Sequence, residues 1–303
     1  MKTPTHLTLT SFSGPFVTHG IDVYSPPDDD ESLYIFAVNH LANPVYSILN
    51  GGDVPRARSQ IEVFHHTIGT LEAKHLRSIR HQLIRTPNDI YVVDEQHFYV
   101  INDHFHRDGV MRMTEEVITA AAWSNIIHVE ILKLDAKEPS EQIEARVAID
   151  RLHNPNGFGH GKDGDEILMG RAAAGVMSIM KANSSSHLTI TESIQLPMCV
   201  DNPSYFHDPY VTETGRDASG YVLCGLLEAF KFPSKQDPIA VRLIARESRE
   251  QTLIFQDSGD NISTGSTAVI VAIDPKENGG RKQAWLFVVG PMAAGMVRMK
   301  IDL

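Results

Sequence analysis

Short apolar segments follow one another along almost the whole chain, cut by runs rich in Gly, Pro, Asn and Asp. No other feature narrows the fold as much. Residues 33–38 (LYIFAV), 60–64, 90–93, 97–101, 126–132, 143–149 and 188–196 read as strands. So do 221–232, 238–244, 252–255, 267–273, 284–289 and 295–301. The segments 90–93 and 97–101 flank Asp94-Glu95-Gln96, a turn-like tripeptide that suits a hairpin.

Helix signals are few. Residues 114–123 (TEEVITAAAW) could form about two turns, with Thr114 as cap and Glu115 and Glu116 in the first turn. Residues 170–181 (GRAAAGVMSIMK) mix helix-favouring Ala and Met with Gly170 and Gly175. The glycines suit strand ends or a tight turn, so this segment is read as strands. Many short strands with little helix predict an all-β architecture, for which propeller, barrel and sandwich all qualify. The hairpin spacing suits small four-stranded blades. Residues 51–58, 155–165, 257–265 and 275–281 read as surface loops. No Gly-, Ser- or Pro-rich linker divides the chain, so residues 1–303 are taken as a single domain.

Composition adds a few exclusions. At 303 residues and 42% hydrophobic, the chain is too apolar for wholesale disorder and long enough for a real core. Its 27 basic against 38 acidic side chains give a net charge of -11, which disfavours nucleic acid and suits hard cations. Cys199 and Cys224 are too few for a thiolate zinc site and read as two buried free thiols. The first twenty residues contain no continuous apolar run of signal-peptide type. The densest apolar stretch, 284–289 (AWLFVV), falls far short of a membrane span. Asn183 and Asn261 open glycosylation triplets, which matter only in a secretory context. There is no G-x-S-x-G elbow, P-loop or H-E-x-x-H motif.

Polar motifs cluster at the ends of the apolar segments: Thr18-His19-Gly20-Ile21, Asn39-His40, Asn88-Asp89, Asn102-Asp103-His104, Asn156-Gly157 and Asp201-Asn202. Asn and Asp supply the oxygens that calcium requires, and a propeller could bring such distant loops together. Taken singly, each motif also fits an ordinary turn. His19 and His40 could form a hydrogen-bonded pair with one imidazole serving as a general base.

These motifs, in this order, resemble the paraoxonase/arylesterase family. The resemblance is carried by HGIDVY (19–24), LYIFAVNH (33–40), IRHQL (79–83), NDI (88–90), EQHFYVINDHF (95–105) and AWS (122–124). It continues more sparsely at Asn156-Gly157, Asp201-Asn202 and GST (265–267). It implies a six-bladed β-propeller holding two calcium ions, with His19 as catalytic base and His40 as its partner. Asn88, Asn156, Asp201 and Asn202 would bind a catalytic calcium. Asp89 and the backbone carbonyl of Ile21 would bind a structural one. Asp103 and His104 match a polar motif near the site. Lactones, aryl esters and, for some members, organophosphates are the substrates implied.

The resemblance also implies an acidic Glu-Asp pair and a first blade before Thr18, neither of which is found in this chain. The propeller is therefore expected to be incomplete, with about five blades. Both calcium sites would lack an acidic ligand. An open blade edge would also invite self-association. The implied function is calcium-dependent hydrolysis of aryl esters or lactones. The alternatives are a non-catalytic propeller serving as a binding or scaffold module, and a sugar-lactone hydrolase of gluconolactonase type. Secretion or N-terminal tethering to a membrane is implied as well, but no signal or anchor is read here, which leaves the compartment open.

Overall fold

The alternation of strand and turn produces five consecutive β-sheets of three to five strands. The structure, a computed structural model, describes residues 5–46, 54–118, 120–229 and 237–303. Blade one contains β1 (Thr8–Thr10), β2 (Thr18–Tyr24), β3 (Ser32–Ala42), β4 (Ala57–Thr67) and β5 (Glu72–Ile79) in the order β1-β5-β4-β3-β2. Blade two contains β6 (Pro87–Val92), β7 (His97–Asn102), β8 (Ser124–Ile131) and β9 (Ile143–Leu152). Blade three contains β10 (Pro155–His160), β11 (Ile167–Arg171), β12 (Val176–Ala182) and β13 (Leu188–Gln195). In blade four, β14 (Cys199–Val200) and β15 (Ser204–Phe206) both pair with β16 (Gly220–Leu226), followed by β17 (Ile239–Ala245) and β18 (Gln251–Asp257). Blade five contains β19 (Thr267–Ile273), β20 (Gln283–Val289) and β21 (Val297–Asp302). The fold is a mostly-β, five-bladed antiparallel propeller, as the sequence predicts for an incomplete six-bladed one.

The chain divides into two compact units. Met1–Pro155 with Ser184–His187 carries blades one and two, and Asn156–Asn183 with Leu188–Leu303 carries blades three to five. Within each unit the blades pack face to face. Phe36, Val38, Ile61 and Val63 of blade one meet Ile90, Phe98, Val100 and Ile127 of blade two. Blade four is covered on both sides. Tyr221 and Leu223 pack with Leu168 and Met177 of blade three, whereas Val222 and Cys224 pack with Ala268 and Leu286 of blade five. A strand buried on both faces has no need to alternate, which is why these segments read as unbroken apolar runs. Cys224 is buried, Cys199 is half-buried, and both are free thiols.

Four segments depart from the sequence reading. The helix is α1 (Gly109–Val117), which starts before Thr114 and stops short of Trp123. Its N-cap is the extended Asp108, and Glu115 lies near its end rather than in its first turn. From there the buried Glu115 carboxylate accepts the backbone N–H groups of Phe105 and His106, both at 2.8 Å, and this tertiary anchor sets the helix position. Residues 155–165, expected as a loop, begin with strand β10. Residues 51–58, also expected as a loop, lie partly outside the described residues, and Ala57 and Arg58 open β4. The strand expected over 221–232 ends at Leu226, and its last three residues lie outside the described residues. The segment 170–181 does form strands, turning at Gly175 with φ +61°.

Candidate functional site

β2 is the edge strand of blade one, and its pairing with β3 contains a bulge. Thr18 faces Asn39 and Ile21 faces Ala37, so His19 and Gly20 together oppose the single residue Val38. Such an insertion re-aims side chains. Here it brings His19 Nδ1 to 3.2 Å from His40 Nε2. On the other side of β3, His40 is paired in register with Ser59 of β4, and its Nδ1 lies 2.8 Å from Ser59 Oγ. A continuous Ser59–His40–His19 chain results. It leaves Nε2 of His19 without a hydrogen-bond partner among the described residues.

The strand beneath the dyad is tightly held. Asn39 Oδ1 accepts the Val17 N–H at 2.8 Å, while its Nδ2 donates to Pro15 O and to Glu62 Oε1. Glu62 has no exposed surface. Burial alone would raise its pKa, but hydrogen bonds from His75, Gln60, Ser78 and Asn39 outweigh that and hold it at about 2.

His19 and His40 open on a pocket of about 260 Å³ that Asp103 also lines. Local desolvation lowers the pKa of His19 below its ordinary 6.5, opposed by the Asp103 carboxylate. His19 is nonetheless exposed at the mouth of the pocket, so solvent screens part of that push. His40 is lowered by desolvation and by the charge of His19, again opposed by Asp103. Burial raises the Asp103 carboxyl, but the closeness of His104, the charge of Arg112 and the nearby Thr86 hydroxyl bring it below the usual range. Arg112 Nη2 lies 3.3 Å from Asp103 Oδ2. His104 Nδ1 is 3.1 Å from the same oxygen, without the alignment of a hydrogen bond. The arrangement offers a mostly neutral imidazole beside a retained negative charge, which suits proton abstraction near neutral pH.

The bulge recurs in blade two. Pro87 faces Asn102 and Ile90 faces Val100, so Asn88 and Asp89 oppose the single residue Ile101. The two bulges meet, because a Cβ on Gly20 would stand 2.2 Å from Asp89 Oδ1 and 2.6 Å from Asn88 O. Val92 N donates to Asp22 Oδ2 at 2.7 Å along the same seam, which brings the Ile21 backbone beside this pair.

A close glycine approach recurs in the second unit. A Cβ on Gly157, next to Asn156, would lie 1.9 Å from Asn202 Oδ1. Asn202 donates through Nδ2 to Thr267 Oγ1 at 3.0 Å, and its backbone N–H donates to Ser266 O, which fixes the carboxamide with Oδ1 toward Gly157. Asp201 and Asn202 occupy the gap between β14 and β15. Burial of the Asp201 carboxyl, with no charge or hydrogen bond from a described residue to offset it, pushes its pKa up to about 7.

The sequence-derived residues thus form three local groups. His19 joins His40; Ile21, Asn88 and Asp89 share a seam of the first unit; Asn156, Asp201 and Asn202 sit in the second unit. Among the described residues no group of three or more His, Cys, Asp and Glu side chains could hold a metal ion. The candidate donors of the second unit are two carboxamides and one carboxylate. A half-buried Asp201 with no charge or hydrogen bond from a described residue fits a hard, oxygen-seeking cation, which would keep that carboxylate ionised. Ser59 and Glu62 were missed from the sequence. The available signal was a charged residue inside the apolar run QIEVF (60–64).

The strands that carry these polar groups define the class at the level of fold, a mostly-β, five-bladed propeller. The sequence profile described as Arylesterase matches residues 10–214, well over half of the chain, and the chain belongs to the arylesterase family. It is 27% identical over 260 residues to the human serum paraoxonase/arylesterase 1, covering 84% of this chain and 63% of that protein. It is 25% identical over 257 residues to the Gallus gallus serum paraoxonase/arylesterase 2, covering 85% of this chain and 64% of that one. The chain therefore spans less than two thirds of the length of these relatives. Among solved structures, a periplasmic gluconolactonase of Pseudomonas aeruginosa is similar over 93% of this chain and 85% of that one, at 9% identity and a TM-score of 0.42. A superposition that loose carries no argument about chemistry.

Proposed function

We propose that this protein hydrolyses small esters, aryl esters or lactones, with His19 as the general base. The observation that carries the reading is the Ser59–His40–His19 chain, with the outer nitrogen of His19 free at a pocket. If His40 donates from Nδ1 to Ser59 and accepts at Nε2 from His19 Nδ1–H, Nε2 of His19 carries an available lone pair. It would take a proton from water as that water attacks the ester carbonyl. His40 would then share the positive charge and hold the ring in place. Asp103 stabilises the imidazolium at longer range.

Asn156, Asp201 and Asn202 are the residues that would hold calcium in the second unit, and Asn88, Asp89 and the Ile21 carbonyl those that would do so in the first. Bound calcium would supply stabilisation of negative charge developing on the carbonyl oxygen.

The test is hydrolysis of an aryl ester and of a six-membered lactone, with calcium and with chelator. His19→Gln should lower kcat/KM by about a hundredfold or more. In the parent protein kcat/KM should rise with pH along a single acid limb centred below 6.5, because only neutral His19 accepts a proton and its pKa is lowered. Rates indifferent to the substitution and to pH would sink this reading. A second reading, a non-catalytic binding module, is favoured by one observation: Asp201 is the sole carboxylate of its three-residue group, and a lower charge count weakens calcium binding. It predicts a folded protein that turns over neither substrate class.

A further inference from the structure

The pocket that contains the histidine dyad is lined by four arginines, Arg56, Arg85, Arg107 and Arg112, against two carboxylates, Asp103 and Asp108. A second pocket of about 330 Å³ shares Ala57, Ser59 and Arg107 with it and adds Arg58 and Arg80. Six guanidinium groups thus line two neighbouring cavities in a chain whose net charge is -11. Arg112 alone among them is ion-paired, to Asp103 and Glu116. The other five form no ion pair with a described residue, and Arg80 Nε is buried with no hydrogen-bond partner there.

The cluster is held together at a cost. Arg107 Nε donates to the Arg85 backbone carbonyl at 2.9 Å, and the Arg85 guanidinium lies 4.1 Å over the Phe105 ring. Both groups are thereby fixed beside each other. Burial and the Arg85 charge lower the pKa of Arg107 against the pull of Asp108, and burial and the Arg58 charge lower that of Arg80 against Glu138 and Glu62. Like charges that are held close and outnumber the carboxylates around them, most of them without an ion pair, are stabilised when an anion enters. The cavities are concave and sized for a small molecule, and the net negative charge repels a polyanion.

We propose that these neighbouring pockets are an anion subsite, and that the preferred substrate is a lactone or ester carrying a carboxylate or phosphoryl group that docks on Arg56, Arg80, Arg85 and Arg107 while its carbonyl faces His19. The inference rests on the reading of His19 as base, but the anion site can be tested without turnover. Titration calorimetry of the whole chain with inorganic phosphate and with acetate should give saturable binding. Arg85→Gln with Arg107→Gln should weaken it by about tenfold or more, whereas the exposed Lys137→Gln should not. Arg56→Gln with Arg58→Gln, at the exposed rim, gives the same test if the first pair fails to fold. Raising the salt from about 0.05 M to about 0.5 M should weaken binding in parallel.

In the kinetic arm, a lactone bearing a carboxylate and one bearing a phosphoryl group are each compared with an uncharged lactone of the same ring. kcat/KM should favour a charged substrate by about tenfold or more, and the favoured member of the charged pair identifies the group recognised. Phosphate and acetate that bind no better than chloride, or binding that survives both arginine pairs, would overturn the proposal. So would tighter binding of a single-stranded oligonucleotide. Arginine-dependent phosphate binding with no hydrolysis of any ester would refute the His19 reading and leave the anion site standing.

Discussion

Glu62 is the side chain on which the dyad's geometry depends most, although it touches neither histidine of the pair. It is fully buried, and its two oxygens collect Asn39, Gln60, His75 and Ser78. Asn39 in turn pins the chain entering β2. The folded-state pKa of about 2 lies below the ordinary 4.5. Its stabilising contribution is therefore fully present above the unfolded value and is lost as the pH falls toward about 2. A shift of that size corresponds to roughly 3 kcal/mol. Urea midpoints measured from about pH 6 down to about pH 3 should fall steeply in the parent. Glu62→Gln should be destabilised at neutral pH, because an amide places a donor against donors, and should show a flatter acid limb. An acid limb identical to that of the parent would rule out this role. Asn39 and His40 were legible from the sequence as a polar pair at the end of an apolar run. Glu62 was not, because its meaning lies in four partners spread over three strands.

At the level of elements, the recurring device is a bulge on an edge strand of a blade, and the two bulges meet where Gly20 approaches Asn88 and Asp89. His19-Gly20 on β2 and Asn88-Asp89 on β6 each oppose one residue of the neighbouring strand. The sequence announced the polar dipeptides but not the bulges, since a bulge is a relation between two strands. It also misread β10, because Gly157 and Gly159 resemble turn residues. In the fold they admit close approach, with a Cβ on Gly159 standing 2.0 Å from Pro203 O. Two substitutions separate the devices. In Gly20→Ala the new Cβ meets the Asp89 backbone at 2.5 Å, which cannot swing away, so a loss of about 2 kcal/mol or more in thermal unfolding is expected. In Gly157→Ala the nearest atom is the Asn202 side-chain oxygen, which yields only by giving up the bond to Thr267, and the nearest backbone atom stands farther off, at 2.9 Å. Stability should then change less than in Gly20→Ala, while calcium affinity measured by calorimetry should fall several-fold. Equal stability losses with intact calcium binding would count against Asn202 as a donor.

For the molecule as a whole, calcium held by the second unit should raise the melting temperature by a few degrees at saturating concentration, since a ligand that binds only the folded state stabilises it by mass action. Asp201→Asn should abolish the shift, because it removes the only carboxylate of that group. A calcium-dependent shift that persists in this variant would direct the search elsewhere in the chain. The sequence by itself determined the strand rhythm, the all-β class and the order of His, Asn and Asp motifs that identifies the family. These are contiguous in the chain, and hydrophobic periodicity and short motifs are local properties. Only the tertiary structure decided that Ser59 backs the dyad, that Glu62 anchors it, and that six arginines line its pocket and the neighbouring one. Arg56, Arg58, Arg80, Arg85, Arg107 and Arg112 lie on separate loops, strand ends and one helix. Isolated charges at such positions carry no period and no spacing rule. Their convergence is set by how the blades pack, which the local sequence does not encode.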